Sequence, residues 1–225
     1  MKNFHSLTIK EVVRETPKSV SIVFNVPEDL KPTFKFTAGQ YITIKKEIDG
    51  EELRRSYSIC STPNSGELKV SVKEVADGRF SSYANNELKA GDQLEVFLPE
   101  GKFTFIPSAD AGHRTYAAFA AGSGITPVMS IIKTALTEEE HSKFLLVYGN
   151  RTPEETIFFK ELLALQASYP DRFFVEFVYS RTQNENSFFG RIERSTVNFV
   201  MKNKFKGHNF SDVYLCGPEE MIDLV

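Results

Sequence analysis

The sequence predicts an antiparallel β-barrel followed by an α/β domain with a parallel sheet. Three observations support this. Apolar residues alternate with a period of two up to about residue 105, strands alternate with helices after about residue 112, and a length of 225 residues suits two domains of about 100 residues each. We place the boundary in the small-residue segment 108–112, which gives domains 1–110 and 111–225.

The first domain has the pattern of short half-buried strands. Alternation is clear over 20–26, 68–72 and 94–98, and turn-forming clusters occur at 28–29, 49–50, 63–66 and 90–92. One short helix is expected over 81–88. Many short antiparallel strands without a long helix are typical of a small barrel.

The second domain opens with a continuously apolar strand, Thr115–Ala121. Further strands are predicted at 143–149, 173–180 and 212–216, and helices near 126–137, 153–168 and 190–203. Thr152 is the expected N-cap of the second helix, with Pro153 at the first helical position and Glu155 placed to complete a capping box. This βαβ alternation predicts a parallel sheet.

Composition excludes several classes of partner. With a net charge of −3, the chain lacks the basic field that nucleic acid or an anionic membrane surface would need. No stretch approaches the about 18 apolar residues of a membrane span, and the first residues lack an apolar signal core. We therefore expect a cytoplasmic protein without nucleic-acid or membrane partners.

Cysteine and histidine are too sparse for a disulfide framework or a cluster. Cys60 and Cys216 are the only cysteines, so an iron–sulfur cluster would have to lie outside this chain. The four histidines show no metal-ligand spacing, and solvated or packed histidine is the simpler interpretation of each. We expect no metal site.

Two glycine turns of the second domain are candidates for nucleotide binding. The segment 122–127 (GSGITP) follows the first strand, where two glycines let the backbone approach a pyrophosphate and Pro127 is expected to start the helix without wasting a donor. The segment 216–221 (CGPEEM) repeats this arrangement after the last strand, and its functional interpretation puts Cys216 beside a nicotinamide. A tight connection and a merely packed thiol are the alternative explanations.

The first domain offers two further candidates. On the predicted strand 54–58, alternation puts Arg55 and Tyr57 on one face, so that a guanidinium lies next to an aromatic ring. The segment 78–83 leads into the short helix, with Ser81 as its expected N-cap and free amides behind it. A solvated edge strand with a surface salt bridge, and a plain loop before a capped helix, explain the two segments nearly as well.

Taken in order, RSYS at 55–58, GRFS at 78–81, GSGITP at 122–127 and CGPEEM at 216–221 resemble the motifs of the ferredoxin-NADP reductase superfamily. The resemblance covers nearly the whole chain. It implies an FAD-dependent NAD(P)H oxidoreductase, with an FAD-binding barrel and an NAD(P)-binding α/β domain. Hydride would pass from nicotinamide C4 to flavin N5, with the protein stacking the rings and excluding water.

The resemblance also implies roles for individual residues. Arg55 would hold a flavin phosphate, Tyr57 would pack on the isoalloxazine, and Ser58 would lie near N5. Ser58 and Cys216 would be the catalytic residues. The implied cofactor-binding residues are Arg55, Ser56, Tyr57, Ser58, Val72, Lys73, Val75, Gly78, Arg79, Phe80 and Ser81 for FAD, and Gly122, Gly124, Thr126, Pro127, Ser180, Arg181, Cys216, Gly217 and Pro218 for NADPH or NADH.

The coenzyme and the electron acceptor are less constrained. Ser180–Arg181 resembles the pair that binds the 2′-phosphate of NADPH, which favours NADPH and leaves NADH open. The segment 148–162 resembles the reductase components of bacterial oxygenases, in particular the phenylacetyl-CoA epoxidase type, in which a ferredoxin domain with a 2Fe-2S cluster usually follows. We expect a truncated C-terminus, with an electron-acceptor protein or such a domain as partner.

Two other functions are compatible with the same motifs. One is a flavin reductase that releases reduced flavin, against which tight retention of FAD would count. The other is a non-catalytic dinucleotide-sensing module. The combination of Tyr57, Ser58 and Cys216 argues against it, because sensing needs no contact with N5 or the nicotinamide.

Overall fold

The structure is a computed structural model that describes residues 4–108 and 112–225. Contacts divide it into two compact units. The first extends to Ile106 and also includes Met129–Ile131, and the second contains the other described residues. The boundary that the sequence predicts, between residues 110 and 111, lies outside the described residues and stays a prediction.

The first unit is an antiparallel barrel, as predicted. Its strands are β1 (His5–Thr16), β2 (Ser19–Asn25), β3 (Tyr41–Ile48), β4 (Glu51–Ser58), β5 (Leu68–Lys73) and β6 (Gln93–Val96). They pair in the order β4-β3-β6-β1-β2-β5, and a bridge between Ile59 and Val70 joins the two ends of this order. Alternate side chains such as Ile22, Ile44 and Val70 fill the interior and are completely buried.

The predicted turns of the barrel are confirmed, while its helix begins earlier than expected. Asp49 and Gly50 both have positive φ in the tight hairpin between β3 and β4. Helix α1 spans Arg79–Asn86, and its N-cap is Gly78, so the prediction of Ser81 as N-cap was wrong. Ser81 lies inside the first turn of the helix and is buried. Its hydroxyl forms hydrogen bonds with the backbone of Val75 and Gly78 in the preceding loop.

The second unit has the predicted parallel sheet with helices. Its strands are β7 (Thr115–Ala121), β8 (Lys143–Asn150), β9 (Phe173–Tyr179), β10 (Ser187–Phe189) and β11 (Asp212–Cys216), in the order β10-β9-β8-β7-β11. Its helices are α2 (Ile125–Glu138), α3 (Phe159–Ser168), α4 (Arg194–Phe199) and α5 (Glu219–Leu224). The short edge strand β10 was not predicted, since its sequence lies among turn-forming residues.

Two predicted helices differ from the structure. The helix expected over 153–168 is split into a 3-10 turn at Pro153–Glu155 and α3, and the side chain of Thr152 forms no cap. The break occurs at Phe158, which is buried with φ at 63° and places its carbonyl to accept from the amide of Leu162. The helix expected over 190–203 is α4 followed by a π-helical turn at Val200–Lys204.

Within the described part of the chain, no helix combines the length and the apolar character that a membrane crossing requires. Cys60 and Cys216 lie in different units, and neither forms a disulfide among the described residues.

Candidate cofactor sites of the two units

The two glycine turns of the second unit meet at the carboxyl edge of its sheet. Strands β7 and β11 are parallel neighbours, with Cys216 opposite Ala120, so both turns leave the sheet side by side. A Cβ placed on Gly124 would lie 2.0 Å from the carbonyl oxygen of Cys216 and 3.0 Å from the amide nitrogen of Gly217. No real Cβ tolerates such distances, so glycine at 124 is what permits this backbone contact.

Side chains fix the first of these turns. Gly122 has φ at 54°, and its carbonyl accepts a 3.0 Å hydrogen bond from the hydroxyl of buried Tyr148. The hydroxyl of Thr126, also buried, donates to the carbonyl of Ser123 at 3.0 Å. Helix α2 continues from a 3-10 turn at Gly122–Gly124, whose carbonyls accept hydrogen bonds from the amide of Ile125. The start of this turn lies at the carboxyl edge of the sheet, where an anion would be stabilised.

The second turn carries the thiol that the sequence singled out. Cys216 is half-buried at the end of β11, and desolvation raises the pKa of its thiol above the usual value. A Cβ on Gly217 would lie 2.8 Å from the methyl end of Met221. Pro218 is the N-cap of the short helix α5, so a helix follows it as predicted. The thiol is therefore neutral and held in a narrow turn.

Neighbouring strand ends extend this edge of the sheet. Asn150 and Tyr179 are paired in register at the ends of β8 and β9. Within the described residues, the amide group of Asn150 and the hydroxyl of Tyr179 are buried and have no hydrogen-bond partner. Ser180 and Arg181 follow, with their amides bonded at 3.0 Å to the carbonyls of residues 150 and 151.

Tyr148, Asn150 and Tyr179 were missed in the sequence analysis of the site. A usable signal existed, because Asn150 is a polar residue at the end of an apolar strand in a predicted parallel sheet, where ligands gather. Arg181 was predicted correctly to lie beyond a strand end, and its side chain is exposed.

In the barrel, β4 places the predicted residues on alternating faces. Leu53, Arg55 and Tyr57 share one face, on which the arginine is exposed and the tyrosine half-buried. The ring of Tyr57 lies 5.6 Å from that of buried Phe80, and burial raises the pKa of its phenol to about 12, against the opposing effect of the Arg55 charge. On the opposite face, the Ser56 hydroxyl lies 3.0 Å from that of Thr43.

The loop before α1 is held by one side chain. The hydroxyl of Ser81 accepts from the amide of Val75 at 3.2 Å and donates to the carbonyl of Gly78 at 2.9 Å. A Cβ on Gly78 would lie 2.3 Å from that hydroxyl and 2.5 Å from a methyl of Val75. No side chain caps α1, so the amides at its start are available to an anion.

The remaining predicted residues of the barrel lie around this loop. Val72 is buried in β5, Lys73 ends that strand, and the side chain of Val75 is 58% exposed, which is unusual for valine. Arg79 differs from the others, because its guanidinium is paired with Glu51 and with Asp49 at 3.6 Å, across the β3–β4 hairpin. Its side chain thus already has structural partners.

Each unit therefore gathers its own subset of the predicted residues. The barrel brings Tyr57 and Phe80 together beside the Gly78–Ser81 loop, and the sheet brings the 122–126 and 216–218 turns into contact. Ser58 is half-buried at the end of β4, and Ser180 is half-buried beyond β9. Two glycine turns, each leading into a helix that no side chain caps, fit dinucleotide cofactors.

Comparisons with known proteins agree with this division. Residues 6–105 match the oxidoreductase FAD-binding domain family, and residues 119–225 match the oxidoreductase NAD-binding domain family. The chain is 41% identical over 224 residues to one of the subunits of 1,2-phenylacetyl-CoA epoxidase from Escherichia coli. This match covers 99% of this chain and 63% of that protein.

A second relative is the ferredoxin reductase component of 3-ketosteroid-9-alpha-monooxygenase from Rhodococcus rhodochrous. It is 42% identical over 168 residues, covering 74% of this chain and 46% of that protein. The chain thus spans 63% of the length of the first relative and 46% of the length of the second.

Among solved structures, a ferredoxin NADP+ reductase from Neisseria gonorrhoeae with bound FAD and NADP has the same fold. Its TM-score is 0.80 at 23% identity, covering 99% of this chain and 88% of that one. Together, the two matches assign residues 6–105 to the oxidoreductase FAD-binding domain family and residues 119–225 to the oxidoreductase NAD-binding domain family, and the solved structure shows that the fold is that of a ferredoxin NADP+ reductase.

Proposed function

We propose that this chain transfers hydride from NAD(P)H to FAD and passes the electrons to an iron–sulfur or oxygenase partner. The observation that carries the proposal is the contact between Gly124 and the Cys216–Gly217 peptide. It joins an anion-binding helix start to a turn that presents a neutral, half-buried thiol. Binding of a pyrophosphate at one turn would thereby fix where a nicotinamide lies relative to the other.

In the barrel, the proposed FAD site consists of residues with distinct tasks. The exposed guanidinium of Arg55 would bind a flavin phosphate, and the first amides of α1 would bind the pyrophosphate. Tyr57, whose pKa of about 12 keeps its phenol neutral, would pack on the flavin ring. Bound FAD supplies the chemistry, since it accepts a hydride and releases electrons to another acceptor.

Ser58 and Cys216 would be the residues that touch the reacting rings. Both are half-buried and both are small, so each can approach a planar ring without displacing it. The Ser58 hydroxyl can donate a hydrogen bond to a ring nitrogen, and the neutral Cys216 thiol adds no charge next to the nicotinamide. Their proposed role is to orient the rings and exclude water.

The electron acceptor is inferred from the relatives. One relative is part of an epoxidase and the other is a ferredoxin reductase component of a monooxygenase. Both are named as parts of oxygenase systems. An oxygenase or an iron–sulfur protein or domain is accordingly the proposed acceptor for this chain.

NADPH is the proposed coenzyme, on the strength of Arg181. Its guanidinium is exposed beyond β9, and within the described residues it forms no ion pair, so it is available to a 2′-phosphate. We expect Arg181→Ala to raise KM for NADPH and leave KM for NADH unchanged. A preference for NADH that survives this substitution would argue against NADPH.

The primary test is optical. Purified protein reconstituted with FAD should be yellow and should bleach anaerobically when NADPH or NADH is added. Loss of the flavin during gel filtration would favour the flavin reductase alternative, and stable binding of both cofactors without bleaching would favour the sensing module.

A variant pair tests the phosphate assignment. Arg55→Ala should weaken FAD binding about 10- to 100-fold by removing a charge-assisted contact. Arg54→Ala is the matched control, because this neighbouring exposed arginine points to the other face and pairs with Glu52. Equal FAD affinity in the two variants would show that Arg55 does not hold the phosphate.

A further inference from the structure

A pair of histidines lies at the edge of the second sheet opposite to the proposed coenzyme site. Strands β7 and β8 are parallel, with Thr115 opposite Lys143. His113 and His141 each lie two residues before these partners, so the register brings them side by side at the amino edge. Their ring centroids are 5.3 Å apart with planes inclined by 34°, and both residues are exposed.

This separation matches the geometry of a chelate. Imidazole nitrogens bind Zn²⁺ at about 2.0–2.1 Å, and a tetrahedral angle at the metal then places two ring centroids about 5.2 Å apart. Square-planar coordination would need about 4.5 Å. The observed 5.3 Å therefore allows both rings to bind one tetrahedral ion once side-chain rotation turns a nitrogen of each ring toward it.

We propose that His113 and His141 form a surface binding site for a divalent transition metal, Zn²⁺ by preference. Within residues 4–108 and 112–225, no group of three or more potential ligand side chains is present, so water would complete the coordination. The two histidines are 28 residues apart in the sequence, so no local motif indicates the pair. The parallel register of β7 and β8 brings them together.

Metal binding here would connect two segments that the backbone leaves separate. His113 lies in the segment that leads into β7, and His141 lies in the turn between α2 and β8. Two ligands on separate segments stabilise the folded chain, since the unfolded chain does not hold them together. This inference is independent of the proposed function, because it uses none of the cofactor-binding residues.

The expected affinity follows from the number of ligands. Two ligands that contribute half the binding free energy of a four-ligand structural zinc site correspond to a Kd of about 1–200 µM. Isothermal titration of the full, untagged chain with ZnCl₂ should give one site in this range. The melting temperature should rise when Zn²⁺ is added and fall back when a chelator removes it.

Single variants test whether both rings take part. His113→Ala and His141→Ala should each weaken Zn²⁺ binding at least tenfold, while the control His208→Ala should leave it unchanged. Both sites are exposed, and thermal unfolding without metal checks that each variant folds. Imidazole resonances in NMR spectra recorded with Zn²⁺ should shift for residues 113 and 141 alone.

Two outcomes would overturn the proposal. One is a Kd in the unmodified chain that is weaker than the expected range, which would leave the ring pair as a stacking contact. The other is binding that only one of the two single variants weakens, since a single imidazole is not a chelate.

Discussion

The two glycine turns proposed to bind phosphates are built differently. In the barrel, the loop before α1 is held by the hydroxyl of one side chain, Ser81, which bonds to both Val75 and Gly78. In the second unit, the hydroxyls of Tyr148 and Thr126 fix the turn before α2, and at Gly124 the backbone also approaches that of Cys216 closely. Side chains can rotate away from an added methyl group, whereas a backbone carbonyl in a parallel sheet cannot.

Similar glycine motifs should therefore tolerate substitution unequally. Where the atoms that crowd a glycine are the ends of flexible side chains, the cost of a larger residue is shared by small rotations. Where they are backbone atoms, the strand or the helix itself must move. We expect substitutions in the two turns to change coenzyme kinetics, FAD affinity and stability, with the largest effect at Gly124 and a smaller one at Gly78.

The largest effect is expected for Gly124→Ala. Its Cβ would lie 2.0 Å from a carbonyl oxygen, so the two turns must separate. We expect kcat/KM for NAD(P)H to fall about 100-fold and the free energy of unfolding to fall by about 1–3 kcal/mol. Steady-state kinetics with an artificial acceptor and denaturant unfolding measure both.

The matched control for this substitution is Gly149→Ala on β8. Its Cβ would first meet the side-chain end of Ile192 at 3.2 Å, which can rotate. It should cost little in either measurement. Equal losses in the two variants would remove the distinction between backbone and side-chain crowding.

A smaller effect is expected for Gly78→Ala in the barrel. The added methyl would crowd the Ser81 hydroxyl and a Val75 methyl first, and it would lie 3.0 Å from the backbone oxygen of Val75. FAD affinity, followed by flavin fluorescence, should fall about tenfold. KM for NAD(P)H at saturating FAD should not change. A loss of folding stability as large as that of Gly124→Ala would contradict the comparison.

Tyr148→Phe should have a modest effect, because it removes the hydrogen bond to the Gly122 carbonyl and leaves the buried ring in place. A net loss of about 0.5–1.5 kcal/mol corresponds to a rise in KM for NAD(P)H of about 2- to 10-fold, without loss of FAD. The control is Tyr169→Phe, at the end of α3 before β9 and outside the proposed site. This control should leave KM unchanged.

The smallest effect concerns the pH dependence of Cys216. Burial raises the pKa of its thiol above the usual value of 9.0, so the neutral form predominates at pH 7. Alkylation needs the thiolate, so iodoacetamide should modify Cys216 more slowly than it modifies a free thiol at pH 8. The rate at Cys216 should increase steeply only above pH 9. Mass spectrometry of the modified peptide measures the rate, with Cys216→Ser as the control for reaction at Cys60.

The same group makes a small contribution to stability with a defined sign. As the pH rises through 9, the thiol loses its proton in the unfolded chain before it does so in the folded chain. The folded state therefore binds more protons there, and stability decreases with rising pH. Cys216→Ser should abolish this part of the dependence.

The strands were predictable because apolar periodicity reports burial directly. Thr115–Ala121 and Asp212–Cys216 have the predicted bounds. The helix expected from Thr152 onward was not found in that form, because tertiary burial of Phe158 outweighs local capping preference. Ser81 was wrongly assigned as N-cap because a capping hydroxyl and a loop-bracing hydroxyl have the same sequence pattern.

The positions of the candidate residues were partly predictable from strand ends. The turns after β7 and β11 lie where the βαβ rule places ligands. Their mutual contact was not predictable, since it depends on which strands are neighbours in the sheet. The pairing of Arg79 with the β3–β4 hairpin likewise depends on a tertiary contact that no local pattern encodes.

The backbone contact at Gly124 has a consequence for protein engineering. No side chain mediates this contact, so a second substitution elsewhere cannot compensate for a change in it. The loops 122–126 and 216–218 must therefore be exchanged together. A chimera that imports a coenzyme loop from a homologue while retaining its own C-terminal turn would combine two surfaces never fitted to each other. Library designs that randomise both loops jointly should therefore yield more active clones than designs that vary either alone.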